Sequence, residues 1–327
     1  MNEQNAHDDY LWTGEGTPPA DVRELEALLA PLAFADDQPF SPPVRRLPKY
    51  AWRCAAGLVA LLAVTVAWLT ASPPDDWALV RTAGDVRING AVPGGAGALR
   101  FGTDIATPTD GSATLRVGDI GSIDLTGGTS VTVQRGAHHR EYRLGLREGT
   151  VRATIIAPAR MFAIETPSTT AIDLGCAYAL TVDERGVGVL HVQAGWVLLE
   201  REGYDVRVPA GASCALRADG PDVPFFDDAD PRLIQRVSNH AAHEHTLDMT
   251  RKLDIGLRRR DLLTLFHLLS RPTLAEEDRI EVLDVMTDWA PMPAGVTRAA
   301  LLEGRHEALD AYWPVVRQAW TVDDTAP

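Results

Sequence analysis

The densest set of groups able to do chemistry is His240, His243, Glu244 and His245. On a helix, His240, His243 and Glu244 stand at i, i+3 and i+4 on one face, where two imidazoles and a carboxylate can hold a metal with water completing the shell. A solvated polar helix face uses the same residues, and that reading is preferred, so no metal and no cofactor are assigned. His138 and His139 sit in a turn with Arg135 and Arg140 and read as a solvated loop, while His267 lies among Leu263, Leu265 and Leu268 and reads as a core histidine. The carboxylates Asp104, Asp119, Asp124 and Asp183 are scattered through a glycine-punctuated region, where such groups solvate turns or close Asx-turns. A glycosidase-type pair would need two of them on one face. The chain has no GxSxG elbow, no HExxH, no CxxC, no GxxxxGK loop and no GxGxxG between strand and helix. Catalysis therefore has no support, and the chain is not expected to be an enzyme.

The elements that position these groups divide around an uncharged run from Cys54 to Ala71. Its 18 residues reach roughly 27 Å as a helix, close to the hydrocarbon thickness of a bilayer. Arg45, Arg46, Lys49 and Arg53 precede it and Asp75 and Asp76 follow it, so the positive-inside rule puts residues 1 to about 50 in the cytoplasm and exports the remainder. Tyr50, Trp52, Trp68 and Trp77 are expected to form the interfacial aromatic girdles. A cleaved signal peptide fits poorly, because some fifty residues come first and Leu69 occupies the −3 place before Ala71. A buried soluble helix would usually carry a polar stripe, and only Thr65 interrupts the interior of this run.

Cys176 and Cys214 both fall in the exported part and are expected to bridge, closing a loop of about 38 residues. Such a bridge stabilises by up to ~4 kcal/mol in the chain-entropy model. The alternative is two buried free thiols.

The net charge of −14 argues against direct binding of nucleic acid. Residues 1–40 hold nine carboxylates and one basic residue, Arg23. After Tyr10-Leu11-Trp12, Thr17 with Pro18 and Pro19 caps and starts a helix, on which Val22, Leu25, Leu28, Leu29 and Leu32 make one apolar stripe. A single short helix cannot build a core, so Tyr10, Trp12, Leu25, Leu29 and Leu32 are expected to bury against a partner. A tail helix lying on the membrane is the alternative, opposed by its acidity. Prolines 39, 42, 43 and 48 mark an extended linker.

Beyond Trp77 short alternating segments appear, among them Leu115/Val117, Ile123/Leu125, Val131/Val133, Val151/Ala153/Ile155, Phe162/Ile164, Val197/Leu199 and Val206/Val208. Glycines separate them, which predicts an all-β domain of about ten or more strands, a flattened solenoid or a sandwich. After Phe226 the period becomes 3.6. Helices are predicted from about Pro231 to Leu247 and from Lys252 to Leu269, with a third starting at Thr273 in a capping box with Glu276 and a fourth at Thr297. Leu262, Leu265, Phe266 and Leu269 should face Ile280, Leu283 and Met286 in a small bundle. Arg258, Arg259 and Arg260 are expected to form an exposed basic stripe that docks a second envelope protein or the β domain, the alternative being a merely solvated face. The expected domains are thus the tail at 1–50, a transmembrane helix at 51–72, the β domain at 77–222 and the helical module at 228–320.

Within the β segment, Thr166-Pro167, then Ala171-x-Asp173-Leu174-Gly175-x-x-Tyr178, Val182-Asp183, Gly186 and Val192-x-x-Gly195-x-Val197 resemble the FecR domain, as do Gly149-x-Val151 before and Pro209-Ala210-Gly211 after. Thr166, Pro167, Asp173, Gly175 and Gly195 are its marker positions. The resemblance covers about residues 77–220. It implies a single-pass bacterial inner-membrane regulator, an anti-sigma or sigma-regulator type protein, with a cytoplasmic sigma-binding tail and a periplasmic signal-receiving domain. An extracytoplasmic-function sigma factor and an envelope or periplasmic protein would then be its partners in signal transduction and transcription regulation. Two departures limit it: residues 228–320 read as all helix, so iron transport does not carry over, and His7 is the tail's only zinc-type ligand before the span. The competing function is an envelope binding or scaffold protein whose β domain holds polysaccharide or a partner protein without signalling.

Overall fold

A computed structural model describes residues 17–18, 20–32, 77–138, 141–201, 204–243 and 256–321. The chain divides into two units, Met1–Thr70 and Ala71–Pro327. In the first, helix α1 (Ala20–Leu29) runs into a 3-10 turn (Ala30–Leu32). The expected membrane span, its flanking Tyr50, Trp52 and Trp68, and Cys54 lie outside the described residues. Among the described residues no helix is long and apolar enough to cross a membrane.

The second unit is a large β structure followed by a small helical module. Among the described residues sixteen strands, β1 (Trp77–Ala83) to β16 (Gly220–Phe226), form two sheets that meet in one long strand, β8 (Tyr142–Ile155). Residues 142–148 of β8 pair with β7 (Ser130–Arg135) in one sheet, and residues 149–155 pair with β6 (Gly121–Leu125) and β11 (Ala177–Val182) in the other. Gly149 marks the change of sheet. Its φ is +101°, and a Cβ there would stand 2.4 Å from the Thr129 Cα, so only glycine lets the strand cross over at this point.

The first sheet continues through β9 (Phe162–Glu165), β10 (Thr170–Asp173), β13 (Trp196–Arg201) and β14 (Tyr204–Pro209). The second continues through β12 (Gly188–Ala194) and β15 (Ala212–Arg217) to β16. Pairing is antiparallel except between β8 and β9. The period-2 positions read from the sequence are the buried ones: Leu115, Val117, Ile123, Leu125, Val151, Leu199 and Val206 merge with the helical module into one hydrophobic cluster. Trp77 belongs to this cluster. It is 1% exposed and packs on Tyr142 and Phe162, so it is a core residue of β1 and not part of an interfacial girdle.

The helical module comprises α2 (Pro231–His243), α3 (Leu262–Leu269), α4 (Glu276–Trp289), α5 (Arg298–Leu302) and α6 (His306–Thr321). Three boundaries differ from expectation. The second helix starts at Leu262, because Gly256 has φ +61° and Arg258 is extended before a 3-10 turn over Arg259–Asp261. Thr273 caps nothing: Ala275 precedes α4, since the chain first makes a turn that buries Leu274. Thr297 does cap α5, accepting from the Ala300 N–H at 3.2 Å, but Gly304 at φ +68° ends that helix and α6 begins separately.

Candidate functional site

On α1 the apolar stripe faces solvent. Leu25, Leu28 and Leu29 are 60%, 72% and 52% exposed, and no residue of the helix is buried. Arg23 donates to the Pro18 carbonyl at 3.1 Å, which ties the helix to Pro18 before it. Leu32 ends the 3-10 turn, and Tyr10 and Trp12 lie outside the described residues.

The marker residues of the β domain are gathered at two corners. Thr166 closes the β9–β10 turn: its hydroxyl donates to the Thr169 carbonyl at 2.7 Å and accepts from the Thr169 N–H at 3.1 Å, with Pro167 inside that turn. At the other corner the buried Asp173 carboxylate accepts from the Gly175 N–H and from the Cys176 thiol, both at 2.6 Å. Burial nevertheless holds its pKa above the usual carboxylate value, and burial beside Asp173 pushes the Cys176 thiol up as well. Gly195 packs against this turn so closely that a Cβ would stand 2.0 Å from the Gly175 carbonyl oxygen.

These side chains shape backbone; they do not converge on a cleft. Residues 103–198 match the FecR protein family. This segment is a FecR domain. Two solved structures, both of candidate anti-sigma factors from Parabacteroides distasonis, are similar to the chain. One is 14% identical with a TM-score of 0.34 and covers 43% of this chain and 64% of its own. The other is 13% identical with a TM-score of 0.34 and covers 40% and 63%. The chain thus spans less than two thirds of either structure's length. No curated protein matches it.

The cysteines of the FecR domain and its extension stay apart. Both are free and buried. Cys214 on β15 lies opposite Leu190 of β12, while Cys176 precedes Ala177 of β11, which lies opposite Ala194. Strand β12 therefore separates them by two ladder spacings of about 4.8 Å, with roughly 13 Å more along the strand, too far for the ~7 Å limit of a bridge. The expected Cys176–Cys214 disulfide is corrected to two thiols, the second donating to the Asp222 carbonyl at 3.2 Å.

The scattered carboxylates behave as turn and ladder residues. Asp183 closes an Asx-turn onto the Arg185 and Val187 N–H groups at 2.9 and 2.8 Å, and Asp104 and Asp124 accept from Thr132 and Thr114. Of the weak metal candidates, His240 and His243 fall on α2 with side chains outside the described set, as is Glu244. Among the described residues no cluster of three such ligands occurs.

The β domain, one of the two docking surfaces expected for the helical module, is joined to it by particular contacts that sequence reasoning missed. Thr264 of α3 donates to the Pro224 carbonyl at 2.8 Å, and Tyr204 donates to the His267 carbonyl at 3.0 Å. Buried Asp222 is held between Arg217 at 2.6 Å and Arg271 at 3.1 Å. Trp196 of β13 stacks on Trp320 and meets Trp313 edge-on, and Phe266 tilts against Trp313 at 4.8 Å. The density of tryptophan in α6 was the available signal. The basic stripe is largely engaged within the chain: Arg258 and Arg260 both bind Asp228, at 2.9 and 3.0 Å, and Arg260 lies over Phe226 at 4.1 Å, leaving Arg259 exposed. The bond to Arg258 holds the Asp228 carboxyl below its usual range.

Proposed function

We propose that this chain is a single-pass inner-membrane regulator of the anti-sigma type, relaying an envelope signal to an extracytoplasmic-function sigma factor through its acidic tail. The observation that carries the reading is the solvent-facing stripe of Leu25, Leu28 and Leu29 on a helix with no core of its own. A row of leucines in water is an unfinished interface, and docking into an apolar groove completes it. The FecR domain supports the same reading, because the resemblance implies regulators with this arrangement of tail, span and exported domain. The basic residues before the uncharged run and the acidic pair after it orient the span with the tail inside.

The test is co-purification from cells producing the full chain. A sigma factor should be recovered with the parent chain and lost with Leu25→Asp or Leu29→Asp, since a carboxylate on the stripe must be desolvated at a cost on the order of 3 kcal/mol. Trp12→Ala should weaken recovery as an aromatic anchor is removed. Equal recovery of the sigma factor by the parent and Leu29→Asp chains would show that the helix is not the contact.

A further inference from the structure

A cleft of about 520 Å³ opens between the edge of β14 and the last helices, walled by Tyr204, Asp205, Ser270, Arg279, Gly304 and His306 among others. Its volume falls in the range of small-ligand sites and holds only a few amino-acid residues. Two features of its wall point to what it takes.

The first is backbone. The Arg207 N–H and carbonyl both turn to His267, so the Leu198–Arg207 pair of β13 and β14 is one that exchanges no ladder hydrogen bonds. Two residues on, Glu200–Asp205 belongs to the same class, so the Asp205 N–H and carbonyl also point off the sheet edge. At Arg207 the imidazole covers that edge; at Asp205 the cleft lies beside it.

The second is charge. Arg279 is 7% exposed and its guanidinium donates to the carbonyls of Leu269, Arg271 and Leu274 at 3.0, 2.8 and 3.2 Å, meeting no carboxylate among the described residues. A Cβ at residue 304 would stand 3.0 Å from Arg279 Nη1, and both residues line the cleft, so glycine there keeps a side chain from coming between this cation and the cleft. The acidic groups nearby are already balanced: Glu303 binds Arg305 at 2.6 Å, and Asp310 binds Arg207 at 2.9 Å. Burial and neighbouring Glu200 hold the Asp205 carboxyl above its usual pKa, while the positive charge of Arg207 opposes that rise.

We propose that this cleft binds the free C-terminal end of an extended peptide, which adds to the β14 edge at Asp205 and sets its carboxylate against Arg279. Main-chain pairing supplies affinity without sequence demands, and a buried guanidinium lacking a carboxylate supplies the preference for a chain end. A short cleft suits an end better than a through-going strand. This site is independent of the tail and its partner.

The full chain in detergent is immobilised and exposed to a pool of random octapeptides with free carboxyl ends, and separately to the same pool amidated. Retention of the free-carboxyl pool should exceed that of the amidated pool by tenfold or more. Arg279→Gln should abolish the difference, and Asp205→Pro, which removes an edge N–H outside the ladder, should abolish retention with far-UV circular dichroism unchanged. Equal or absent retention of the two pools by the parent chain overturns the proposal, whatever the variants do. So does parent-level retention by Asp205→Pro.

Discussion

His267 presents Nε2 to the backbone of Arg207, 3.3 Å from its nitrogen and 3.2 Å from its carbonyl oxygen, so an imidazole stands where the next strand beyond β14 would pair. The ring is fully buried against Phe266 and Trp313, and burial together with the Arg207 charge lowers its pKa to about 3. A sheet edge covered in this way is protected from pairing with other chains.

The first prediction is an acid sensitivity at this seam. Between the unfolded pKa near 6.5 and the folded value of about 3, the unfolded chain binds a proton that the folded chain refuses. Stability is therefore present above about pH 6.5 and lost as pH falls, by up to ~1.4 kcal/mol per pH unit from this group. His267→Gln does not titrate, so its thermal midpoint should fall less steeply than the parent's from pH 7 to 4.5. Parallel profiles would mean that the imidazole is protonated in place.

Gly195→Ala should be severely destabilising. Its φ is +73° and the new methyl would meet the Gly175 carbonyl oxygen at 2.0 Å, so conformational strain and overpacking together cost on the order of 3 kcal/mol. Chemical denaturation should show the midpoint shift. Gly128→Ala, at φ +69° with nothing within 4 Å, carries the strain alone and should cost about half as much.

The thiols give a third test. Native protein should leave Cys176 and Cys214 unlabelled, since both are buried and burial raises their pKa, whereas denatured, unreduced protein should label at both. Labelling that appears only after reduction would mean that the two are bridged.

Topology is the fourth. Alkaline phosphatase fused after residue 140 should be active, and a fluorescent protein that matures only in the cytoplasm should be dark at the same position. The reverse pattern would place the FecR domain inside the cell and remove the basis for envelope sensing.

The sequence by itself determined the kinds of element and their order, because side-chain period is a local property: alternation of two marks a strand with one buried face, and 3.6 marks a helix. Val151, Ala153 and Ile155 are buried as their spacing required, and the switch after Phe226 does begin a helical module. The FecR markers were legible as well, since Asp173 and Gly175 act within one turn a few residues long, whereas the close approach of Gly195 to Gly175 is a tertiary contact. What tertiary structure alone decided are distances between residues far apart in the chain. Strand order sets β12 between Cys176 and Cys214; packing on Tyr142 and Phe162 draws Trp77 into the core; and the helical module's return to β14 brings Arg207 to His267 and opens the cleft beside Asp205. None of these is encoded in periodicity, because pairing energies depend on which surfaces meet, and that choice is made by the whole core at once.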